Sequence, residues 1–207
     1  MESPPLVWLH DAATGKKLAE LKNFDRPPVA LSWPADDGRL LVAAQDNTLR
    51  QINVGAGVEF SRINAPHDAE IMGEVHKRSL DKAAFGPRSV DAFTSSDYPA
   101  HVHRWNLDTG KKVWTIRASE AATGPIVISP DGRIMACAWG HSGGNQPDTS
   151  GVSLWSVATQ QELMQIDLAG ASPYSMAFSP DGRRVVTGFD SGTALVWNVA
   201  EAVAKLE

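Results

Sequence analysis

The chain is expected to be all-β, built of four-stranded antiparallel units stacked on one another, on the strength of three observations. A turn motif recurs fifty residues apart, as Ser129-Pro-Asp-Gly-Arg133 and Ser179-Pro-Asp-Gly-Arg183. One slot recurs through five segments, held by His10, Ile52, Trp105, Trp155 and Trp197 at spacings of 42, 53, 50 and 42. Eight and eleven residues after the first four slots come paired apolar residues: Leu18/Leu21, Phe60/Ile63, Val113/Ile116 and Leu163/Ile166. A unit that recurs this way cannot bury its faces alone and must stack on copies of itself.

Each unit reads as four short strands, labelled a to d from the centre outward. The chain opens in a c strand (Leu6–His10) and a d strand (Leu18–Leu21). Val29–Trp33, Ala83–Phe85, Pro125–Ile128 and Tyr174–Phe178 are a strands, each followed by a turn and an apolar b strand: Leu40–Ala44, Val90–Thr94, Ile134–Ala138 and Val185–Thr187. The c strands end at the slot and the apolar pairs mark the d strands. Between them lie Thr14-Gly15, Ala56-Gly57 and Thr109-Gly110, whose glycines suit the positive φ of a tight turn, whereas Thr159-Gln160 lacks one. Only the tail, Val199–Glu207, reads as helical, for about two turns. Strands of three to seven residues in repeats of about 40 to 50 mark the blades of a β-propeller. The expected units are 6–21 (partial), 29–65, 79–117, 125–167 and 174–199, in a single region spanning 1–207. They amount to about four blades plus an N-terminal c–d hairpin.

These units resemble WD-repeat propeller blades, which end in a Trp-Asp-like pair with a histidine upstream. The pairs here are Trp105-Asn106, Trp155-Ser156 and Trp197-Asn198, so the aspartate is not kept. The resemblance implies a buried network joining a histidine, a strand hydroxyl, a turn aspartate and the tryptophan. His76, Thr94, Asp97 and Trp105 match all four in the second complete blade, with His76 nine residues before Phe85. The fourth blade keeps Thr187, Asp190 and Trp197; the third has Cys137 at the hydroxyl position; the first keeps Asp46 alone. Loss of Asp46 is therefore expected to cost less than loss of Asp97.

Composition narrows the function classes. Net charge is −5 with no basic run, which argues against nucleic-acid binding by a charge footprint. The lone Cys137 excludes an internal disulfide framework and suits a reducing, cytoplasmic setting. No apolar stretch approaches the roughly 20 residues of a membrane helix. Seven blades at this period would need roughly 300 residues. The chain therefore reads as the C-terminal part of a larger, open or partial ring, with a small four- or five-bladed closure or two chains sharing one ring as alternatives. An open ring would favour self-association.

Catalytic look-alikes fail on context. Gly140-His-Ser-Gly-Gly144 matches a nucleophile elbow, but loop residues follow where a helix is required. Thr14-Gly-Lys-Lys17 and Thr109-Gly-Lys-Lys112 lack the phosphate-loop frame and sit in hairpin turns. His101 and His103 share a strand face without further ligands nearby, so they read as core-edge or solvated residues rather than metal ligands. No catalytic residue, metal or cofactor is assigned.

The functional expectation comes from the insertions. In an up-and-down blade, the a–b and c–d turns lie on one face of the ring, and the b–c turns and d–a links on the other. The a–b turns are tight. The long connections, Asn64–Val75, Trp139–Gly151 and the shorter Asp97–Ala100, all fall on the second face, where loops carry recognition. The chain is thus expected to be a non-catalytic protein-interaction scaffold, with His67, Asp68, Glu70, Tyr98, His141, Asn145 and Gln146 as partner-binding candidates. The alternatives are a regulatory or sensor module of a larger multidomain protein, such as a kinase or protease, and, third, a propeller enzyme.

Overall fold

The computed structural model describes all residues except 1–4, 35–37, 57, 68, 72–73, 77, 89, 97–99, 120–121, 142–148, 169, 172 and 207. Its smallest repeated part is a turn. Ser129 Oγ donates to Asp131 Oδ1 at 2.6 Å, Arg133 N–H donates to the same oxygen at 3.0 Å, and Ile134 N–H donates to Ser129 Oγ at 2.9 Å. Fifty residues on, Ser179, Asp181, Arg183 and Arg184 repeat these bonds at 2.6, 3.0 and 3.0 Å. The Ser179 hydroxyl and the Arg183 N–H hold the Asp181 carboxyl below its ordinary range. In the other hairpin turns Gly15 and Gly110 take φ of +69° and +68°, and Gln160 takes +62° at the equivalent place. The backbone conformation is conserved through the repeats even where glycine is not.

Antiparallel strands follow in chain order. A hairpin of β1 (Val7–His10) and β2 (Lys17–Leu21) comes first. The first blade is β3 (Pro28–Ser32), β4 (Arg39–Ala44), β5 (Thr48–Asn53) and β6 (Val58–Asn64). The link after it carries its own small hairpin, β7 (Ala69–Ile71) with β8 (Glu74–His76). The second blade is β9 (Lys82–Phe85), β10 (Asp91–Ser95), β11 (Ala100–Asn106) and β12 (Lys111–Ser119). The third is β13 (Ala122–Ile128), β14 (Ile134–His141), β15 (Thr149–Ser156) and β16 (Glu162–Asp167). The fourth holds three strands, β17 (Pro173–Phe178), β18 (Arg184–Phe189) and β19 (Ala194–Asn198), and a short helix α1 (Ala200–Ala204) ends the chain.

Register explains the apolar residue eleven places after each slot. Val7 pairs with Leu21, Leu49 with Ile63, Val102 with Ile116 and Val152 with Ile166. In all four ladders the register shifts at the slot, between Leu9/His10, Gln51/Ile52, Arg104/Trp105 and Leu154/Trp155. The shared irregularity sets one strand offset, and the sequence repeats it.

The core lies between blades. Alternate residues of a strand face opposite ways, so Leu40, Val42 and Ala44 pack toward the β1–β2 hairpin while Leu41 and Ala43 pack toward the second blade. In β14, Met135 and Cys137 face the second blade, and Ile134, Ala136 and Ala138 face the fourth. Burial on both faces is why the b strands are continuous apolar runs. Polar bonds also cross between blades: Gln51 Nε2 donates to Leu107 O at 2.8 Å, and Trp114 Nε1 to Val157 O at 3.2 Å.

Inner strands β3, β9, β13 and β17 together line a central groove that includes Leu31, Phe85, Val127 and Phe178. Leu18–Leu21 does not complete the final blade: β2 pairs only with β1, and the hairpin packs through Leu9, Leu21 and Phe24 on the first blade. Two strands cover only part of that blade, which leaves Leu31 and Trp33 each 55% exposed. The loop expected over Trp139–Gly151 is shorter too. β14 and β15 continue pairing to His141 and Thr149, and Trp139 lies so close over Gly151 that a Cβ there would meet its Cζ2 at 2.4 Å.

In the first blade Asp46 has partners of its own. Its Oδ2 accepts from the Arg50 guanidinium at 2.9 Å and its Oδ1 from Thr48 N–H at 3.1 Å. Arg50, 1% exposed, also donates to Thr48 Oγ1 at 3.0 Å and Asn23 O at 2.9 Å, and stacks on Phe24 at 4.0 Å. Glu59 Oε2 also lies 3.4 Å from Arg50 Nη1, so Asp46→Ala removes the nearer of two carboxylates on a buried cation and is expected to cost about 1–3 kcal/mol. Asp46→Ala/Arg50→Met is expected to recover part of that in urea unfolding. A loss below about 1 kcal/mol for the single variant would mean that the pair behaves as a solvent-exposed one.

Candidate functional site

The buried polar centre of the second blade gathers around the Thr94 hydroxyl. Thr94 sits on β10 opposite His103, two residues along from the Ala92–Trp105 pair. Its Oγ1 accepts from Trp105 Nε1 at 2.8 Å and lies 2.8 Å from His67 Nε2. The rings of His67 and His103 meet edge to face at 5.0 Å, and His103 Nδ1 lies 2.8 Å from Thr115 Oγ1. Burial, followed by His67, Lys112 and His101 nearby, pushes the His103 pKa down to about 3.

His67, which the spacing did not single out, is thus a histidine on Thr94, while the side chain of His76 lies outside the described residues. The β7–β8 hairpin separates the two in the link, and His76 lies at the end of β8. Counting back from the a strand passed over His67. His67 follows the preceding d strand by three residues, and that distance was the usable signal. At 1% exposure His67 is also no surface contact for a partner, which corrects its assignment to the rim. Asp97 lies outside the described residues.

Other blades fill the same place differently. Trp197 Nε1 donates to Thr187 Oγ1 at 3.0 Å. In the third blade Cys137 holds the equivalent register position, opposite Ser153 and two residues from the Met135–Trp155 pair. Buried Trp155 Nε1 has no acceptor among the described residues. Burial raises the Cys137 thiol to about 12, so it is no nucleophile at neutral pH.

On the face of the b–c turns and d–a links, a cleft of about 410 Å³ lies between the second, third and fourth blades. Lys82 and Tyr174 reach it from the starts of a strands, Pro125 from the middle of β13, and Asp190 from a b–c turn. Tyr174 is 74% exposed. An ammonium, a carboxylate and a phenol around apolar prolines can hold a short peptide segment by hydrogen bonds and ring packing. Sequence reasoning did not assign Lys82, Tyr174 or Asp190 to the site, since blade stacking brings them together. Among the rim candidates, Asp68, Tyr98, Asn145 and Gln146 lie outside the described residues. Glu70 lies in β7 and His141 ends β14, their side chains being outside the description. Among the described residues, no three His, Cys, Asp or Glu side chains are grouped to hold a metal ion.

Two outcomes test this geometry. Cys137→Thr gives Trp155 an acceptor and is expected to stabilise the fold by about 1 kcal/mol; an unchanged or lower urea midpoint would count against the equivalence with Thr94. The second concerns pH. His103 stays neutral in the fold but titrates near 6.5 once unfolded, so the unfolded chain binds the extra proton and stability falls as pH drops from about 6.5 toward 3. Between pH 7 and 5 the wild type should lose about 2 kcal/mol more than His103→Gln, and equal losses would show that His103 does not contribute.

A family profile, "WD domain, G-beta repeat", matches residues 166–198, which include β17 to β19. Over 180 residues, 84% of the chain, the sequence is 29% identical to Coronin-7 of Mus musculus. It is 31% identical over 98 residues, 47% of the chain, to WD repeat-containing protein SL1-17 of Schistosoma mansoni. Over 230 residues and 98% of the chain it is 23% identical to Meiotic fizzy-related protein 1 of Schizosaccharomyces pombe. The matches span 18%, 30% and 54% of those proteins. No described helix is long and apolar enough to cross a membrane. The four-stranded blades, their shared register shift and the tryptophan–threonine bonds make the chain a β-propeller, and these matches support a place for it in the WD-repeat family.

Proposed function

We propose that this propeller is a non-catalytic scaffold that binds a protein partner through the face of its b–c turns and d–a links. The observation that carries the reading is the cleft of Lys82, Tyr174 and Asp190, which opens on the same face as the long connections. Asp68, Glu70, Tyr98, His141, Asn145 and Gln146 belong to those connections and form the proposed rim. The opposite face supports this by contrast, since its Ser-Pro-Asp-Gly turns spend their polar groups on themselves. A net charge of −5 favours a protein over a nucleic-acid partner, and the buried Cys137 thiol fits a reducing cytoplasm. The second reading, a regulatory module within a larger protein, draws on the match to 18% of Coronin-7.

Tyr174→Ala with Asp190→Lys tests the first reading. In quantitative cross-linking of the tagged protein in cells, this variant is expected to lose its specific partners by tenfold or more, about 1.4 kcal/mol. An opposite-face control, Asp108→Ala with Lys111→Ala, should keep them. Equal capture by both variants, with both folded by near-UV circular dichroism, would overturn the assignment of the face.

A further inference from the structure

A second cleft, of about 390 Å³, opens on the face of the a–b and c–d turns, between the second and third blades and the residues after α1. Three cations line it: Arg104 from β11, Arg133 from the a–b turn of the third blade, and Lys205. Arg104 stands opposite Phe93, on the side of its sheet that faces the third blade. Among the described residues that line the cleft none is acidic, although the chain carries a net charge of −5. The three cations are not held alike. Arg104 Nε and Nη2 each donate to an oxygen of Asp91 at 3.0 Å, so that charge is largely matched. Arg133 Nη2 donates to Leu206 O at 2.7 Å, and Lys205 Nζ donates to Leu163 O. A carbonyl positions a cation without cancelling its charge, and neither side chain has a carboxylate at ion-pair distance among the described residues. Asp131, two residues before Arg133, spends its Oδ1 on Ser129 Oγ and the Arg133 N–H.

We propose that this cleft binds a phosphomonoester. The charges of Arg133 and Lys205 match a dianion, whereas a carboxylate would neutralise only one of them. A guanidinium offers a planar fork of donors suited to phosphate oxygens, and an ammonium adds a point charge that can turn to meet them. The Thr159 hydroxyl and the Gln161 amide, on the c–d turn that borders the cleft, are neutral donors for the remaining oxygens. Leu163 gives the carbon side of the ester an apolar wall. This site lies on the opposite face from the cleft of Lys82, Tyr174 and Asp190, and the two assignments fail separately.

The probes are the N-acetyl amide of phosphoserine and phenyl phosphate, each titrated into the ¹⁵N-labelled protein at low ionic strength. Saturable shifts of the Arg133, Thr159 and Gln161 amides are expected with Kd below about 1 mM. Affinity should rise as pH is raised through the second pKa of the ester, at about 6. Binding of either probe supports the site, and the tighter of the two shows whether the ester arrives on a protein segment or as a small molecule. Arg133 and Lys205 are exposed, so Arg133→Gln/Lys205→Gln should fold as the wild type does by near-UV circular dichroism and bind at least tenfold more weakly. No saturable shift, equal affinity for the N-acetyl amide of aspartate, or unchanged affinity in the double variant would overturn the proposal.

Discussion

The structure depends on one constraint: each interior sheet must be buried on both faces, and only another sheet can do it. β4 and β14 have no solvent side. Leu41 and Ala43 serve one interface while Leu40, Val42 and Ala44 serve the next. A blade is therefore not a stable unit alone, and the core is a series of interfaces rather than one interior. The same constraint accounts for the exposed apolar residues. Leu31 and Trp33 are open because a two-stranded hairpin covers less than a blade, and Val196 is open because no described sheet packs on that face of the fourth blade.

Apolar stacking leaves sheets free to slide, and buried polar bonds give each blade a particular position. The second blade uses Thr94 with Trp105 and His67, and the fourth uses Thr187 with Trp197. The first uses a buried Arg50 held by Asp46 and braced on Phe24, while the third has Cys137 and leaves the Trp155 N–H without a described acceptor. Such variety is what a buried polar group permits: partners must be satisfied, but any geometry that satisfies them will serve. The sequence repeats are degenerate for this reason, although the backbone repeats closely.

A scaffold locked in this way suits recognition better than motion. Strand ladders fix the starts of the a strands, so Lys82 and Tyr174 are held in place, and Asp190 meets them from the turn directly after β18 although all three are distant in sequence. Long connections on the same face can vary without disturbing the blades. Binding energy is then not spent on ordering the frame.

The sequence by itself determined the strands of the blades, their order and the places of the turns, though not the β7–β8 hairpin inserted in a link. Those features are local: an alternating run, a glycine at positive φ or an apolar residue at a set offset reports its own backbone state. The offset of eleven residues was legible because it is a ladder register, repeated at Leu21, Ile63, Ile116 and Ile166. What the tertiary structure alone decided is which distant groups meet. A spacing counted back from the next strand passed over His67, which reaches Thr94 from the link ahead of the β7–β8 hairpin. Asp46 showed no partner in sequence because Arg50, four residues on, is held against it with Asn23 and Phe24, from the chain before the first blade, packed on the guanidinium. The cleft was invisible for the same reason: its residues come from three blades, and their meeting depends on how sheets stack, which no local pattern encodes.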